Sequence, residues 1–188
     1  MTDQELLIEG CINGDRKCQQ KLYETFYGKM MVVCLRYCRD RDEALDIFQE
    51  AFIKVFKNLV RYGNKGSFEG WVRRIMVNTA IDHIRKNKKL KEMVELKEEF
   101  VGAEQEDDSE GLLDKVSFKD LLSCVQDLSP AYRSVFNMYV MDGYSHKEIA
   151  NELQISEGTS KSNLAKAKMN LKKLLIGKIA ALAVYGNV

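Results

Sequence analysis

Proline occurs once in the 188 residues, at Pro130, and tryptophan once, at Trp71. A chain so poor in the residue that breaks helices, with long stretches at helical spacing, is expected to be all-α. It has no run of about 18 apolar residues, so no segment is expected to insert into a membrane. Met1 to Gly10 opens on acidic residues and shows no signal-peptide pattern. The cysteines Cys11, Cys18, Cys34, Cys38 and Cys124 form no CxxC pair, and His83 and His146 are the only histidines beside them. A zinc site needs about four ligands in tetrahedral reach, and this spacing does not offer them. The expectation is reduced thiols packed as small hydrophobes in a cytoplasmic protein, with no metal and no cofactor. A glycine-rich phosphate loop and inward-facing paired carboxylates are also missing, so no catalytic residue is expected and the chain is not read as an enzyme.

What is present is charge sorted by segment beneath a net charge of +1. Trp71 to Lys91 holds Arg73, Arg74, Arg85, Lys86, Lys88, Lys89 and Lys91 against Asp82 alone. Glu92 to Val116 reverses the sign, with acids such as Glu98, Glu104, Asp107 and Glu110 against Lys97 and Lys115. Tyr144 to Lys178 is basic again through Lys147, Lys161, Lys166, Lys168, Lys172, Lys173 and Lys178. Two separate positive surfaces suggest two contacts with a polyanion.

Apolar spacing predicts the elements. Leu22, Tyr23, Phe26, Met30, Val33 and Tyr37 recur at three- and four-residue steps, giving a helix from about Arg16 to Cys38. After a break at Asp40 to Asp42, a second helix carries Ala44, Ile47, Phe48, Ala51, Phe52 and Val55 on one face. Asp42, Asp46, Gln49, Glu50 and Lys54 lie on the other. Tyr62 to Ser67 reads as a loop, and Ser67 caps a helix reaching about Lys89. Residues 1–91 thus form a first helical domain, 92–115 an acidic flexible linker, and 116–188 a second domain.

In the second domain Phe118, Leu121, Leu122 and Val125 form an apolar stripe. Ser129-Pro130 starts a helix carrying Tyr132, Val135, Phe136, Tyr139 and Val140, and Gly143 ends it. Ser145-His146-Lys147-Glu148 fits a capping box. The short helix that follows turns at Gln154-Ile155, and the chain restarts at Ser156 into a helix running towards Leu175. Two short helices and a tight turn, the second helix basic, match the helix-turn-helix plan. Ile149, Ala150, Leu153, Ile155 and Leu164 are spaced to hold the pair together. Lys161, Ser162, Asn163 and Lys166 then face base edges, where lysine suits guanine and asparagine suits adenine. Lys147, Thr159 and Lys172 are better placed for phosphate.

These residues resemble a family: bacterial sigma factors, specifically the extracytoplasmic-function (ECF) group of the sigma-70 family. Gly143 to Ser162 is similar to the helix-turn-helix that reads the −35 promoter element. Asp46-Ile47-Phe48-Gln49-Glu50-Ala51-Phe52 is similar to the helix that binds core polymerase, and Phe68 to Arg85 to the helix that recognises the −10 element. The resemblance covers Arg16 to Leu175, with three motifs in the family's order. Ser160 departs from it, standing where valine is frequent, and Leu45 stands where an acid is common.

The resemblance implies roles residue by residue. Asp46, Gln49 and Glu50 would bind core RNA polymerase. Tyr62, Asn64, Phe68, Trp71, Arg74, Asn78 and Arg85 would capture the −10 element as single-stranded DNA, through rings for stacking and cations for phosphate. Lys147, Thr159, Lys161, Ser162, Asn163 and Lys166 would contact the −35 duplex. The acidic linker would thread through the polymerase, and an anti-sigma factor is implied as a further partner. The sequence is therefore expected to encode an RNA polymerase sigma factor directing transcription initiation at −35 and −10 promoter elements. The alternative is a stand-alone helix-turn-helix regulator with an N-terminal sensor or dimerisation domain.

Overall fold

The computed structural model describes residues 2–63, 66–86 and 117–185. Every regular element among them is helical, and the chain divides into two compact units, Met1–Lys86 and Asn87–Val188. The expected linker at 92–115 lies outside the described residues.

The first unit holds α1 (Asp3–Ile12), α2 (Arg16–Tyr37), α3 (Arg41–Asn58), a 3₁₀ turn (Leu59–Arg61) and α4 (Phe68–Lys86). Each α-helix begins on a short polar side chain that takes up backbone N–H groups otherwise lacking a partner. Thr2 and Glu5 form a capping box on α1. Asp15 accepts from Lys17 and Cys18 on α2, Asp40 from Glu43 on α3, and Ser67 Oγ from the Gly70 N–H on α4. Helix α1 was not expected from the apolar pattern, because it buries only Ile8 and Cys11. Asp42 stands inside the first turn of α3 rather than in the break, which is confined to the residues before Arg41.

The core of this unit is aromatic where α2 meets α3. Phe48 packs edge-on against Tyr23 and Tyr27, with ring centroids 5.4 and 5.2 Å away, and Phe52 stands 4.9 Å from Phe48. Beneath α4, Val72, Met76, Ala80 and Ile81 are fully buried. Cys34 and Cys38 are buried in the same core and Cys11 under α1. Burial pushes the Cys34 thiol up to about 12 and that of Cys11 to about 11, as expected of thiols packed as apolar groups.

The second unit holds α5 (Phe118–Asp127), α6 (Pro130–Phe136), a π-helical segment (Asn137–Met141), α7 (His146–Leu153) and α8 (Glu157–Tyr185). Two apolar assignments in it are corrected. On α5 the buried positions are Cys124 and, just past its end, Leu128, while Phe118 is 62% exposed and Leu121 also lies open. Lys178 of α8 donates to Ser123 and pairs with Asp120, so α5 is held by a face nearly opposite the Phe118–Leu121 stripe. After α6 the wider turn, with Asp142 N–H donating to Asn137 C=O five residues back, advances the register. Asn137 and Met138 are thereby buried, and Tyr139 and Val140, expected in the stripe, are exposed. Helix α8 continues past Leu175, the end expected from the sequence, to Tyr185.

Candidate nucleic-acid interface

The helix-turn-helix is built by local chemistry. Ser145 Oγ accepts from the Glu148 N–H, and the Glu148 carboxylate accepts from the Ser145 N–H at 2.8 Å. Gln154 ends α7 in the left-handed conformation at φ 56°, and its N–H donates to Ala150 C=O. Ser156 then starts α8, its Oγ accepting from the Thr159 N–H at 2.9 Å. Ile149, Leu153 and Leu164 are buried between the helices, and Ala150 and Ile155 are half-buried.

One long-range contact supplements these. Ser160, at the position where the family favours an apolar residue, is fully buried, and its Oγ lies 2.9 Å from His146 Nδ1. Tyr139 stacks on the His146 ring with centroids 4.5 Å apart and planes 23° apart. His146 thus joins the π-helical segment, α7 and α8. Sequence reasoning missed it as a site residue, since the contact spans 14 positions.

On the outer side, Lys147, Lys161 and Ser162 are exposed, and Thr159, Asn163 and Lys166 are half-buried. All six share the α7–α8 module. Two of them are partly engaged already. Thr159 Oγ1 bonds Ser156 Oγ at 2.9 Å, and Ser162 Oγ donates to Thr159 C=O at 3.0 Å, so what Ser162 retains for a partner is acceptor capacity.

On the first unit, α4 brings Trp71, Arg74, Asn78 and Arg85 to its accessible side: Arg74, Asn78 and Arg85 are exposed and Trp71 is half-buried. Phe68 and Tyr62 are placed differently. Phe68 is 2% exposed and Tyr62 8%, and the Tyr62 hydroxyl donates to Gly66 C=O at 2.6 Å. Their rings pack on each other at 4.9 Å and on Trp71 at 5.7 and 5.4 Å. In this conformation they offer no face to a base, and they support the indole from behind. Aromatic type does not reveal which ring of a loop turns inward. Asn64 lies outside the described residues.

Asp46, Gln49 and Glu50 are exposed on α3, and the same helix adds Ile53 to the accessible surface, as the following turn adds Val60. Glu50 is bonded to Lys54 at 2.9 Å, which holds its carboxyl below the ordinary value of 4.5. Lys54 Nζ also lies 3.2 Å from Thr79 Oγ1 and 3.6 Å from Asp82 of α4, and Asp82 is in turn paired with Arg85. The i,i+4 spacing of Glu50 and Lys54 signals the first pair in sequence, whereas the reach to α4 has no sequence signal.

Two all-α units, one carrying a capped helix-turn-helix with a basic second helix, fit the plan of helix-turn-helix proteins. Comparison with known proteins resolves the class further. Residues 22–90 match the family described as sigma-70 region 2, and residues 118–171 match sigma-70 region 4. The ECF RNA polymerase sigma factor SigW of Bacillus subtilis is 30% identical over 173 residues, covering 86% of this chain and 91% of that protein. The RNA polymerase sigma-H factor of Pseudomonas aeruginosa is 28% identical, covering 92% of this chain and 93% of that protein. The ECF sigma factor SigE of Mycolicibacterium smegmatis is 30% identical over 74% of this chain, which spans 54% of that longer relative. The chain belongs to the ECF group of sigma-70 family RNA polymerase sigma factors, the proteins that direct transcription initiation. The region 2 match across the first unit leaves the sensor or dimerisation domain of a stand-alone regulator unsupported. Among the described residues no helix is long and apolar enough to cross a membrane, and no group of three potential ligands is gathered for a metal.

Proposed function

We propose that the two units divide the work of promoter recognition. Residues 1–91 dock on core RNA polymerase and capture the −10 element, residues 116–188 read the −35 duplex, and the acidic segment 92–115 connects them. The observation that carries this is the separation of chemistry on the surface. One unit carries a carboxylate and amide face on α3 and exposed cations on α4, and a basic helix-turn-helix occupies the other.

On this reading Asp46, Gln49 and Glu50 meet basic groups of the polymerase. Lys161, Ser162, Asn163 and Lys166 enter the major groove, while Lys147 and Thr159 contact phosphates and fix the register. At −10, duplex melting exposes bases that need a stacking surface and counter-charge. Trp71 supplies the ring, Arg74 and Arg85 the charge, and Asn78 a hydrogen-bonding edge, with Tyr62 and Phe68 holding the indole in place. The protein contributes no catalysis of its own, and the polymerase makes the bonds. It acts in the cytoplasm, where its polymerase partner works, and the family resemblance adds an anti-sigma factor as a further partner.

Transcription in vitro from a promoter library, with and without core polymerase, tests this reading. Initiation that needs both this chain and core enzyme, from promoters sharing −35 and −10 elements, is expected. Tight promoter binding by the chain alone, with no initiation in the presence of core, would favour the stand-alone regulator.

A further inference from the structure

His146 opens α7 directly before Lys147, and its ring is fixed from two directions. Tyr139 stacks on its face with centroids 4.5 Å apart, and Ser160 Oγ meets its Nδ1 at 2.9 Å. Ser160 is fully buried, and among the described residues Nδ1 is the hydrogen-bond partner of its hydroxyl. That burial selects the tautomer. If Nδ1 carried the proton, the hydroxyl would accept, and its own hydrogen would be left in the core as an unmet donor. With the hydroxyl donating, Nδ1 accepts and the neutral ring carries its proton on Nε2. Orientation follows from the same bond. The Nδ1 edge turns inward to Ser160 while His146 as a whole is half-buried, so the accessible edge of the ring is the opposite one, which bears Nε2–H. Glu148, the nearest acid in the chain, spends its carboxylate on the Ser145 N–H and hydroxyl at 2.8 and 2.7 Å.

We propose that His146 contacts a backbone phosphate of the −35 duplex through Nε2–H, with Ser160 as the positioning residue that holds this donor outward. The proposal rests on the assignment of α7 and α8 to the −35 element. Residues of that assignment border the pair in the chain: Lys147 follows His146, and Thr159 and Lys161 flank Ser160. The donor meets backbone rather than a base because it belongs to the first helix of the motif, which crosses the backbone while the second enters the groove. A phosphate oxygen is a charged acceptor for a neutral N–H, and a contact of this kind fixes register without reading sequence. The pair is a feature of this chain. The apolar residue that the family favours at position 160 would leave Nδ1 without its partner and the ring free to turn.

The test is read in the holoenzyme on duplexes carrying the −35 element, with one phosphate at a time replaced by an uncharged methylphosphonate. His146→Phe keeps a ring for Tyr139 and removes both nitrogens. It is expected to weaken binding about tenfold, the lower end for a hydrogen bond to a charged group. One methylphosphonate that weakens the wild type by a similar factor is expected to change His146→Phe by less than about twofold, while every other phosphate keeps its effect. Ser160→Val keeps the imidazole and deletes the hydroxyl. It is expected to blunt the effect of that same phosphate alone. In nitrogen NMR of the full chain it is expected to turn a ring protonated on Nε2 into a mixture of tautomers. A purely structural role for the pair would weaken binding in both variants with every phosphate effect unchanged, and that result overturns the proposal. So does a wild-type ring protonated on Nδ1, or unaltered DNA binding by His146→Phe. Failure of the underlying assignment looks different. The wild-type holoenzyme would then bind equally well with the −35 element scrambled, and no methylphosphonate along it would weaken binding.

Discussion

Ser160 Oγ lies 2.9 Å from His146 Nδ1, so the hydroxyl buried on the recognition helix is satisfied by the helix before it. A polar atom in the small core of a helix-turn-helix is costly unless it is well hydrogen-bonded. Phenylalanine at 146 keeps a ring to stack on Tyr139 and deletes the nitrogen. The hydroxyl's fallback is the carbonyl of Ser156 one turn back, so His146→Phe is expected to cost about 1 kcal/mol, the lower end for an unsatisfied buried group. Hydrogen exchange of the α8 amides measures it, and Ser160→Ala in the same background is expected to recover part of the loss.

That contact also marks what the sequence could and could not show. The helix-turn-helix was legible because its signals are local: Ser145 with Glu148, Gln154 at the turn, and Ser156 before Thr159 are neighbours in the chain. Helix α1 carried the same kind of signal in Thr2 and Glu5, but it has too few buried residues for periodicity to find it. The turn of π-helix after Phe136 defeats any reading at 3.6 residues per turn, which is why Tyr139 and Val140 were expected inside. The buried state of Phe68 and Tyr62 and the reach of Lys54 to Thr79 depend on how helices meet, and no spacing encodes that.

Phe68 and Trp71 stack with centroids 5.7 Å apart, yet their substitutions are expected to fail in different assays. Phe68 is buried at the start of α4, so Phe68→Ala leaves a cavity and costs about 3–5 kcal/mol of stability in a thermal or urea melt. Trp71 is half-buried, and its proposed task is to stack on an unpaired base. Trp71→Ala is expected to lose about 1–3 kcal/mol of affinity for single-stranded −10 DNA, with a smaller loss of fold stability than Phe68→Ala. A 2-aminopurine reporter in the −10 segment reads the first quantity. Equal stability losses for the two variants, with DNA binding unchanged in Trp71→Ala, would remove Trp71 from the site.

Base readers and phosphate clamps on the second unit are separable by salt. Lys147→Ala is expected to weaken −35 binding about equally for all sequences and to reduce the salt slope by about 1. Asn163→Ala is expected to keep the slope and relax the choice of base at one promoter position, at about 1–3 kcal/mol. Holoenzyme binding to a randomised −35 library at several salt concentrations distinguishes the two. Loss of selectivity from Lys147→Ala and a changed slope from Asn163→Ala would reverse the assignment.

Acid reaches two of the helix starts only at low pH. Asp15 accepts backbone N–H groups from Lys17 and Cys18 at the start of α2, and these bonds hold its carboxyl below the ordinary 3.8. Asp120 is lowered chiefly by the hydrogen bond from the Ser117 hydroxyl at the start of α5. A group whose folded value is depressed contributes stability that is fully present above its unfolded value and is lost as pH falls through the folded one. Urea midpoints are therefore expected to be insensitive to Asp15 and Asp120 near neutrality and to decline as pH drops below 3.8. Asp15→Asn retains an oxygen able to cap but cannot be protonated in this range, so it should flatten the decline of the first unit while leaving that of the second. Parallel acid profiles for the wild type and Asp15→Asn would show that this cap carries no proton-linked stability.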